Sequence, residues 1–174
     1  MTDPRYPIGR FAHPGEVSDD DLALWSGQIE ALPAEMRRAV DGLTDEQLDT
    51  RYRPEGWTIR QVVHHVPDSH LNAYVRFKWT LTEDEPQIKT YEEARWAELA
   101  DNRLTPVATS LDLLASLHER WVILIRALDR DQLARRFAHP EWGKVDLAHT
   151  VGMYAWHGRH HLAHVTTTRE REGW

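Results

Sequence analysis

The sequence of 174 residues contains no cysteine. Disulfides, thiolate zinc sites and a cysteine nucleophile are therefore excluded, and any bound metal must be held by histidine, aspartate or glutamate. Long apolar runs and an apolar signal-peptide core are also missing, which predicts a cytoplasmic protein that does not enter a membrane. No basic face is evident and the formal net charge is −7, which argues against nucleic acid as a partner.

The composition, 41% hydrophobic and 28% charged, is typical of a globular chain. The length predicts one domain spanning residues 1–174. Residues 1–17 hold three prolines and two glycines, so we expect an extended N-terminal arm there.

Capping signals and helical spacing of apolar residues predict four long helices. The first begins after Ser18, which is followed by three aspartates, and it ends at Gly42. The second opens with a capping box at Thr58. Pro33 lies within the first helix and predicts a kink or a break, and Pro67 lies within the second and predicts a kink beside His64 and His65.

The other two long helices are predicted from Ser110 to about residue 128 and from Asp146 to about Arg171. Residues 82–107 are acidic and weakly periodic, so they are expected to form a long crossover, with a helical turn at 91–99. Residues 43–57 and 128–142 echo each other, and each copy joins two long helices. The predicted fold is an all-α four-helix bundle with a long crossover between two helix pairs. No period-2 alternation is long enough to predict a sheet.

Four of the eleven histidines fall between residues 153 and 165. On a helix, His157, His160, His161 and His164 share one face and form the i,i+4 pairs His157/His161 and His160/His164. Two imidazole nitrogens at that spacing can reach one ion at about 2.0–2.1 Å. The segment therefore suggests a metal site.

The second helix offers a third ligand from among His64, His65 and His70. Two histidines from one helix and one from a facing helix would leave an open coordination position, as catalytic metals require. At about 100° per residue, periodicity favours His70, with His65 at the edge of the stripe, although Pro67 disturbs the count. The alternative is a plain bundle with a histidine-rich solvated face, since a histidine on an apolar stripe is more often a core residue than a ligand.

Residues 56–70 resemble the Trp-Thr/Ser-x-Arg-x-x-x-x-His-x-x-Asp signature of DinB-like proteins, and residues 157–161 resemble their closing His-x-x-x-His. The segments 6–9, 91–99 and 171–174 are similar to one branch, the YfiT-type metal-dependent hydrolases. That branch includes enzymes that act as bacillithiol S-transferases. The resemblance covers nearly the whole chain.

The resemblance implies a DinB-like four-helix bundle, a homodimer, and one divalent metal per subunit, zinc or nickel. Its ligands would be His65, His157 and His161, so the resemblance selects His65 where periodicity favours His70. Asp68 would either orient a ligand imidazole or pair with Arg60 or another cation. The remaining histidines become second-shell or pocket candidates: His64, His70, His160 and His164.

The function that follows is a metal-dependent hydrolase, with the metal activating water or a small-molecule thiol. A metal-dependent thiol S-transferase is the alternative, and its thiol would come from a cosubstrate because the chain has no cysteine. The metalloprotease pattern His-Glu-x-x-His is absent, and no catalytic residue is assigned. A thiol cosubstrate would need cationic groups for its carboxylates, and Arg60, Arg76 and Arg159 are candidates, with a solvated surface residue as the alternative for each. A non-catalytic metal-binding stress-response module is a further alternative.

Overall fold

The computed structural model describes residues 3–12 and 14–174, and within them four long helices form a bundle. These helices are α1 (Asp19–Val40), α3 (Ile59–Thr82), α6 (Val107–Arg126) and α8 (Leu147–Glu172). The shorter elements are α2 (Asp45–Leu48), α4 (Glu93–Trp96), α5 (Ala100–Leu104), α7 (Arg130–Leu133), β1 (Arg136–His139) and β2 (Gly143–Asp146). The main contacts join α1 to α8, α8 to α3, α3 to α6 and α6 to α1. Helices α1 and α3 therefore lie at diagonal corners, as do α6 and α8. The predicted all-α four-helix bundle is confirmed.

Caps confirm the predicted starts of the first, second and fourth long helices. The Ser18 hydroxyl accepts from the backbone of Asp21, and Thr58 and Asp146 cap α3 and α8 in the same way. Each cap satisfies a backbone donor that the first helical turn leaves free. The break considered at Pro33 does not occur, because α1 runs through this residue, and α3 likewise runs through Pro67 as one helix.

The crossover between α3 and α6 carries α4 and α5, and α4 is the helical turn expected within residues 91–99. The crossover is tied to α3 by the side chain of Gln61, whose amide donates to the backbone carbonyl of Ala97 at 3.0 Å. The third long helix begins at Val107, three residues before the predicted start. These contacts hold the crossover over one end of the α3–α8 interface.

A small sheet is present that the sequence analysis did not predict. Strands β1 and β2 form an antiparallel hairpin in which Phe137 lies opposite Val145. Each strand has four residues, which is too short for alternation to be read from the sequence. Phe137 is buried in the core, so the hairpin is anchored to the bundle.

The core consists of two main clusters along the bundle axis. One surrounds Trp121 and Phe77, and the other surrounds Met36 and Leu114. Burial of these side chains is the main term stabilising the bundle. No helix within the described residues combines the length and apolar character needed to span a membrane.

The described part of the N-terminal arm, residues 3–12 and 14–17, has turns but no helix or strand. The Trp156 indole donates to the carbonyl of Gly9 at 3.2 Å, which holds the arm against α8. The prediction of an extended arm also covers Met1, Thr2 and His13, which lie outside the described residues.

Candidate metal centre

Three histidines from two helices converge where α3 meets α8. His65 comes from the second turn of α3, and His157 and His161 are one turn apart on α8. Each offers a ring nitrogen within 4.8 Å of the other two. The ring centroids of the three pairs lie 4.5–5.3 Å apart. Cap positions upstream of both helices fix the start of each one, and hence which face these residues occupy.

The spacing of the ring nitrogens fits a tetrahedral metal. The Nε2 atoms of His65 and His157 lie 3.3 Å apart. With bonds of about 2.0–2.1 Å, two nitrogen ligands of a tetrahedral ion lie about 3.3 Å from each other. A cluster of three imidazoles without a carboxylate suits zinc and nickel better than magnesium or calcium.

Burial keeps these imidazoles neutral, which is the form that binds metals. The pKa of His65 is lowered to about 4, first by burial and then by the neighbouring His160. Burial likewise holds the pKa values of His157 and His161 well below the ordinary value, and the neighbouring histidines lower them further. The ligand lone pairs are therefore available at neutral pH.

The other nitrogen of His157 belongs to a buried chain of hydrogen bonds. His157 Nδ1 lies 3.1 Å from His70 Nε2, and His70 Nδ1 lies 2.8 Å from His118 Nε2. His118 Nδ1 lies 2.6 Å from the backbone carbonyl of Ile29. A carbonyl can only accept, so among neutral rings each one must donate through Nδ1 and accept through Nε2. The chain therefore leaves the lone pair of His157 on Nε2, facing His65.

The carbonyl at the end of this chain is available to a side chain because of a proline. Pro33 has no backbone N–H, so the carbonyl of Ile29, four residues earlier in α1, lacks its helical partner. His118 donates to that carbonyl from α6. Pro33 thus provides the acceptor that directs the whole histidine chain.

A second group of ring nitrogens, from His160, His161 and His164, also lies within 4.8 Å of one another. It shares His161 with the first group, and His161 Nδ1 lies 3.4 Å from His164 Nδ1. All three come from one turn of α8, and aromatic rings cover two of them: Trp156 stacks on His160 and Tyr52 on His164. All three histidines of the first group line one cavity, whereas His161 is the one member of the second group that lines it, so the first group is the better candidate for chemistry.

That cavity has a volume of about 580 Å³ and is lined by all three histidines of the first group. The crossover supplies Tyr91 and four neighbouring residues, and the hairpin supplies His139 and Trp142, whose rings stack with their centroids 4.0 Å apart. Ser69 and Arg76 extend the lining along α3. The volume is that of a small-molecule site.

Comparison with known proteins identifies the family of this chain. The family model of the DinB superfamily matches residues 28–165. The chain belongs to the DinB superfamily. It is 53% identical, over the full length of both chains, to a Bacillus mycoides protein named "Putative metal-dependent hydrolase".

Two solved structures are similar to this DinB-superfamily chain. YfiT from Bacillus subtilis is described as a probable metal-dependent hydrolase with an unusual four-helix bundle topology; it is 44% identical with a TM-score of 0.96, covering 99% of both chains. TT2238, described as a four-helix bundle protein, has a TM-score of 0.54 at 19% identity, over 81% of this chain and 94% of its own. The second likeness concerns the fold alone.

The remaining predicted site residues of this DinB-superfamily chain lie around the centre rather than in it. His70 contacts His157 directly, whereas His64 points to α6, where its Nδ1 lies 2.7 Å from the Ser110 hydroxyl. Burial, together with the nearby Asp101, raises the pKa of Asp68 to about 6. Within the described residues, no hydrogen bond joins the Asp68 carboxylate to a histidine, and its suggested partner Arg60 pairs with Asp45 and Asp49 instead.

Sequence reasoning missed His118, His139 and the role of Pro33. His118 lies on the apolar stripe of α6 between Leu114 and Trp121, seven residues after Leu111. A histidine at a core position was therefore the available signal. His139 comes from the hairpin, for which the sequence has no clear pattern.

Proposed function

We propose that this protein is a metal-dependent hydrolase of small molecules. The observation that carries the proposal is the convergence of His65, His157 and His161 on one point of a cavity of about 580 Å³. The names of the Bacillus relatives support the same reaction class. A divalent metal held by three neutral imidazoles would supply Lewis acidity and lower the pKa of water that it binds.

The chain's own residues prepare that centre in three ways. The buried chain through His70 and His118 holds His157 in one tautomer and one orientation. Trp57 packs against His65, with ring centroids 4.6 Å apart, and shields the ligands from bulk water. Tyr91, Ser69 and Tyr154 offer hydroxyl groups along the cavity wall. Burial raises the pKa of both tyrosines, so each remains a hydrogen-bond donor at neutral pH.

Transfer of a small-molecule thiol is the second candidate. A specific observation favours it: both histidine clusters among the described residues lack a carboxylate, and water activation generally benefits from a nearby base. A thiol needs less help, because coordination to a metal deprotonates it directly. The acidic residues that line the cavity, Glu92, Glu93 and Glu141, are exposed.

The test combines metal analysis with two assays. The purified protein, loaded with zinc or nickel, is assayed against ester and amide substrates and, separately, for thiol consumption with an electrophile such as a chlorodinitrobenzene. Hydrolysis that is lost on chelation and restored by metal supports the first proposal. Thiol-dependent turnover without hydrolysis supports the second. A protein that binds no metal, or loses neither metal nor activity in His157→Ala, contradicts both, and His149→Gln on the same helix is the matched control.

Homodimerisation and a cytoplasmic location remain predictions. Sedimentation of the metal-free and metal-loaded protein would test the first.

A further inference from the structure

Arg76 is a buried cation that forms no ion pair with the residues that the structure describes. Its side chain lines the cavity, yet the residue is only 7% exposed. Its Nη2 donates to the backbone carbonyl of Lys89 at 3.2 Å. In the part of the chain that the structure describes, the ion pairs involve other cations and none includes Arg76.

Burial of the Arg76 guanidinium costs free energy unless a ligand supplies an anionic partner. A guanidinium stays charged at all relevant pH values and carries five N–H donors in a planar fork. Removing it from water without an anionic partner is unfavourable. The cost is offset when an anion enters the cavity and accepts from the free side of the fork.

The other two cations suggested by the sequence do not share this position. Arg60 is held at the surface by Asp45 and Asp49. Arg159 is exposed and lines a separate groove between α1 and α8. Of these three arginines, Arg76 alone lines the cavity of the histidine cluster.

Helix α3 places Arg76 and the histidine cluster at two points of one cavity. His65, Ser69 and Arg76 are spaced four and seven residues apart, so they share a face of the helix. The Cα atoms of His65 and Arg76 lie about 16 Å apart at 1.5 Å per residue, and the long side chain of Arg76 can shorten that span. A small molecule could therefore contact both.

The charges around the cavity favour a carboxylate over a phosphate. Three exposed carboxylates, those of Glu92, Glu93 and Glu141, line the same cavity. They repel a doubly charged phosphate monoester more strongly than a singly charged carboxylate. A carboxylate also matches the planar fork of a guanidinium in geometry.

We propose that Arg76 binds a carboxylate group of the substrate, so that this protein acts on small carboxylate-bearing molecules. The reacting group of the substrate would then lie at His65, His157 and His161. That second statement rests on the proposed function, whereas carboxylate binding by Arg76 does not require turnover.

The experiment measures binding to metal-free protein. The probes are 4-phenylbutyrate, its neutral amide and phenyl phosphate, and the signals are calorimetry and the fluorescence of Trp57, Trp142 and Trp156 near the cavity. We expect the wild type to bind the carboxylate at least about tenfold more tightly than the amide. Arg76→Gln should remove that preference, Arg76→Lys should keep part of it, and Arg159→Gln should leave it unchanged.

Circular dichroism and thermal unfolding establish that each variant is folded, and Arg76→Lys keeps the test decisive where Arg76→Gln does not fold. Equal binding of carboxylate and amide by the wild type, tighter binding of phenyl phosphate, or an unchanged preference in either Arg76 variant overturns the proposal. Lack of turnover by metal-loaded protein would refute the proposed function and leave the binding result standing.

Discussion

The two nitrogens of the His157 ring meet opposite environments. On the interior side, Nδ1 enters a chain of hydrogen bonds that ends on a backbone carbonyl, and His70 and His118 in that chain are buried. On the cavity side, Nε2 lies 3.3 Å from the Nε2 of His65, at the point where the three histidines converge. The interior side is complete without a ligand, and the cavity side is not.

This difference separates the residues that position the candidate ligands from the residues that would bind a metal or a substrate. Side chains such as His70 and His118, whose hydrogen bonds are completed within the protein, hold their neighbours in place, as hydrogen-bond partners of metal ligands do. The three candidate ligand histidines and Arg76 instead line the cavity, where a metal or a substrate could reach them. The contrast predicts different consequences for substitutions on the two sides.

The largest effect is expected on the cavity side. His157→Ala removes a candidate ligand on α8 that also begins the interior chain of hydrogen bonds. We expect metal affinity to fall by more than about 100-fold. Competition with a chromophoric chelator measures the change. His164→Ala should alter affinity far less, and a larger loss in His164→Ala than in His157→Ala would assign the metal to the second histidine group.

A smaller effect is expected on the interior side. His118→Leu breaks the chain, frees His70 and His157 to change tautomer, and should lower metal affinity by about 10–100-fold. His118→Gln can donate to the Ile29 carbonyl and accept from His70, so it should restore much of the affinity. Nitrogen-15 NMR of the imidazoles should show one tautomer of His157 in the wild type and in His118→Gln. A single unchanged tautomer in His118→Leu would contradict the directing role of the chain.

The buried histidines on the interior side also predict that acid lowers the stability of the metal-free protein. Burial lowers the pKa of His118 to about 4, whereas in the unfolded chain its pKa is about 6.5. Between these values the unfolded state binds the proton and the folded state does not, so stability is full above pH 6.5 and falls as the pH drops. At pH 5 this one histidine costs about 2 kcal/mol of unfolding free energy.

Urea unfolding at pH 7.5 and pH 5 measures that loss, and His118→Gln should show a loss smaller by a similar amount. Asp68 works in the opposite direction, because its raised pKa lets the folded state bind a proton as the pH falls toward 5. The difference between wild type and His118→Gln isolates the histidine from this contribution. Equal pH dependence in the two proteins would contradict the assignment.

The smallest effect is expected from Pro33→Ala. The substitution returns a backbone N–H to α1, which competes with His118 for the carbonyl of Ile29. We expect helix α1 to be stabilised, because alanine is the better helix former, while metal affinity falls a few-fold. Unfolding and metal titration of the same preparation measure both. Changes of the same sign in stability and affinity would argue against the role of this proline.

The bundle could be predicted from the sequence because its signals are local. Ser18, Thr58 and Asp146 are caps with their own backbone partners, and the apolar stripes between them have helical spacing. The hairpin was not predictable, because its pairing depends on Phe137 packing into a core built by distant segments. A break at Pro33 was one of the two outcomes that the sequence allowed, and the structure shows that α1 continues through this residue.

The candidate site was only partly predictable. Spacing on α8 could not choose between two histidine pairs, and periodicity on α3 favoured His70 over His65. The structure shows the reason: His70 does lie mid-stripe, but it faces the interior, where it contacts His118 and His157. Which histidine reaches the cavity depends on the packing of α3 against α6 and α8, and no local pattern encodes that packing.

The candidate metal centre depends on all four long helices, because the Ile29 carbonyl of α1 lacks a helical partner and accepts from His118. Helices α3 and α8 supply the ligand histidines, α6 supplies His118, and α1 supplies the acceptor that orients the chain. A partly assembled bundle lacking α1 would keep three imidazoles but lose their common orientation. Tight metal binding would then require complete folding, because it would be reached only after α1 has docked.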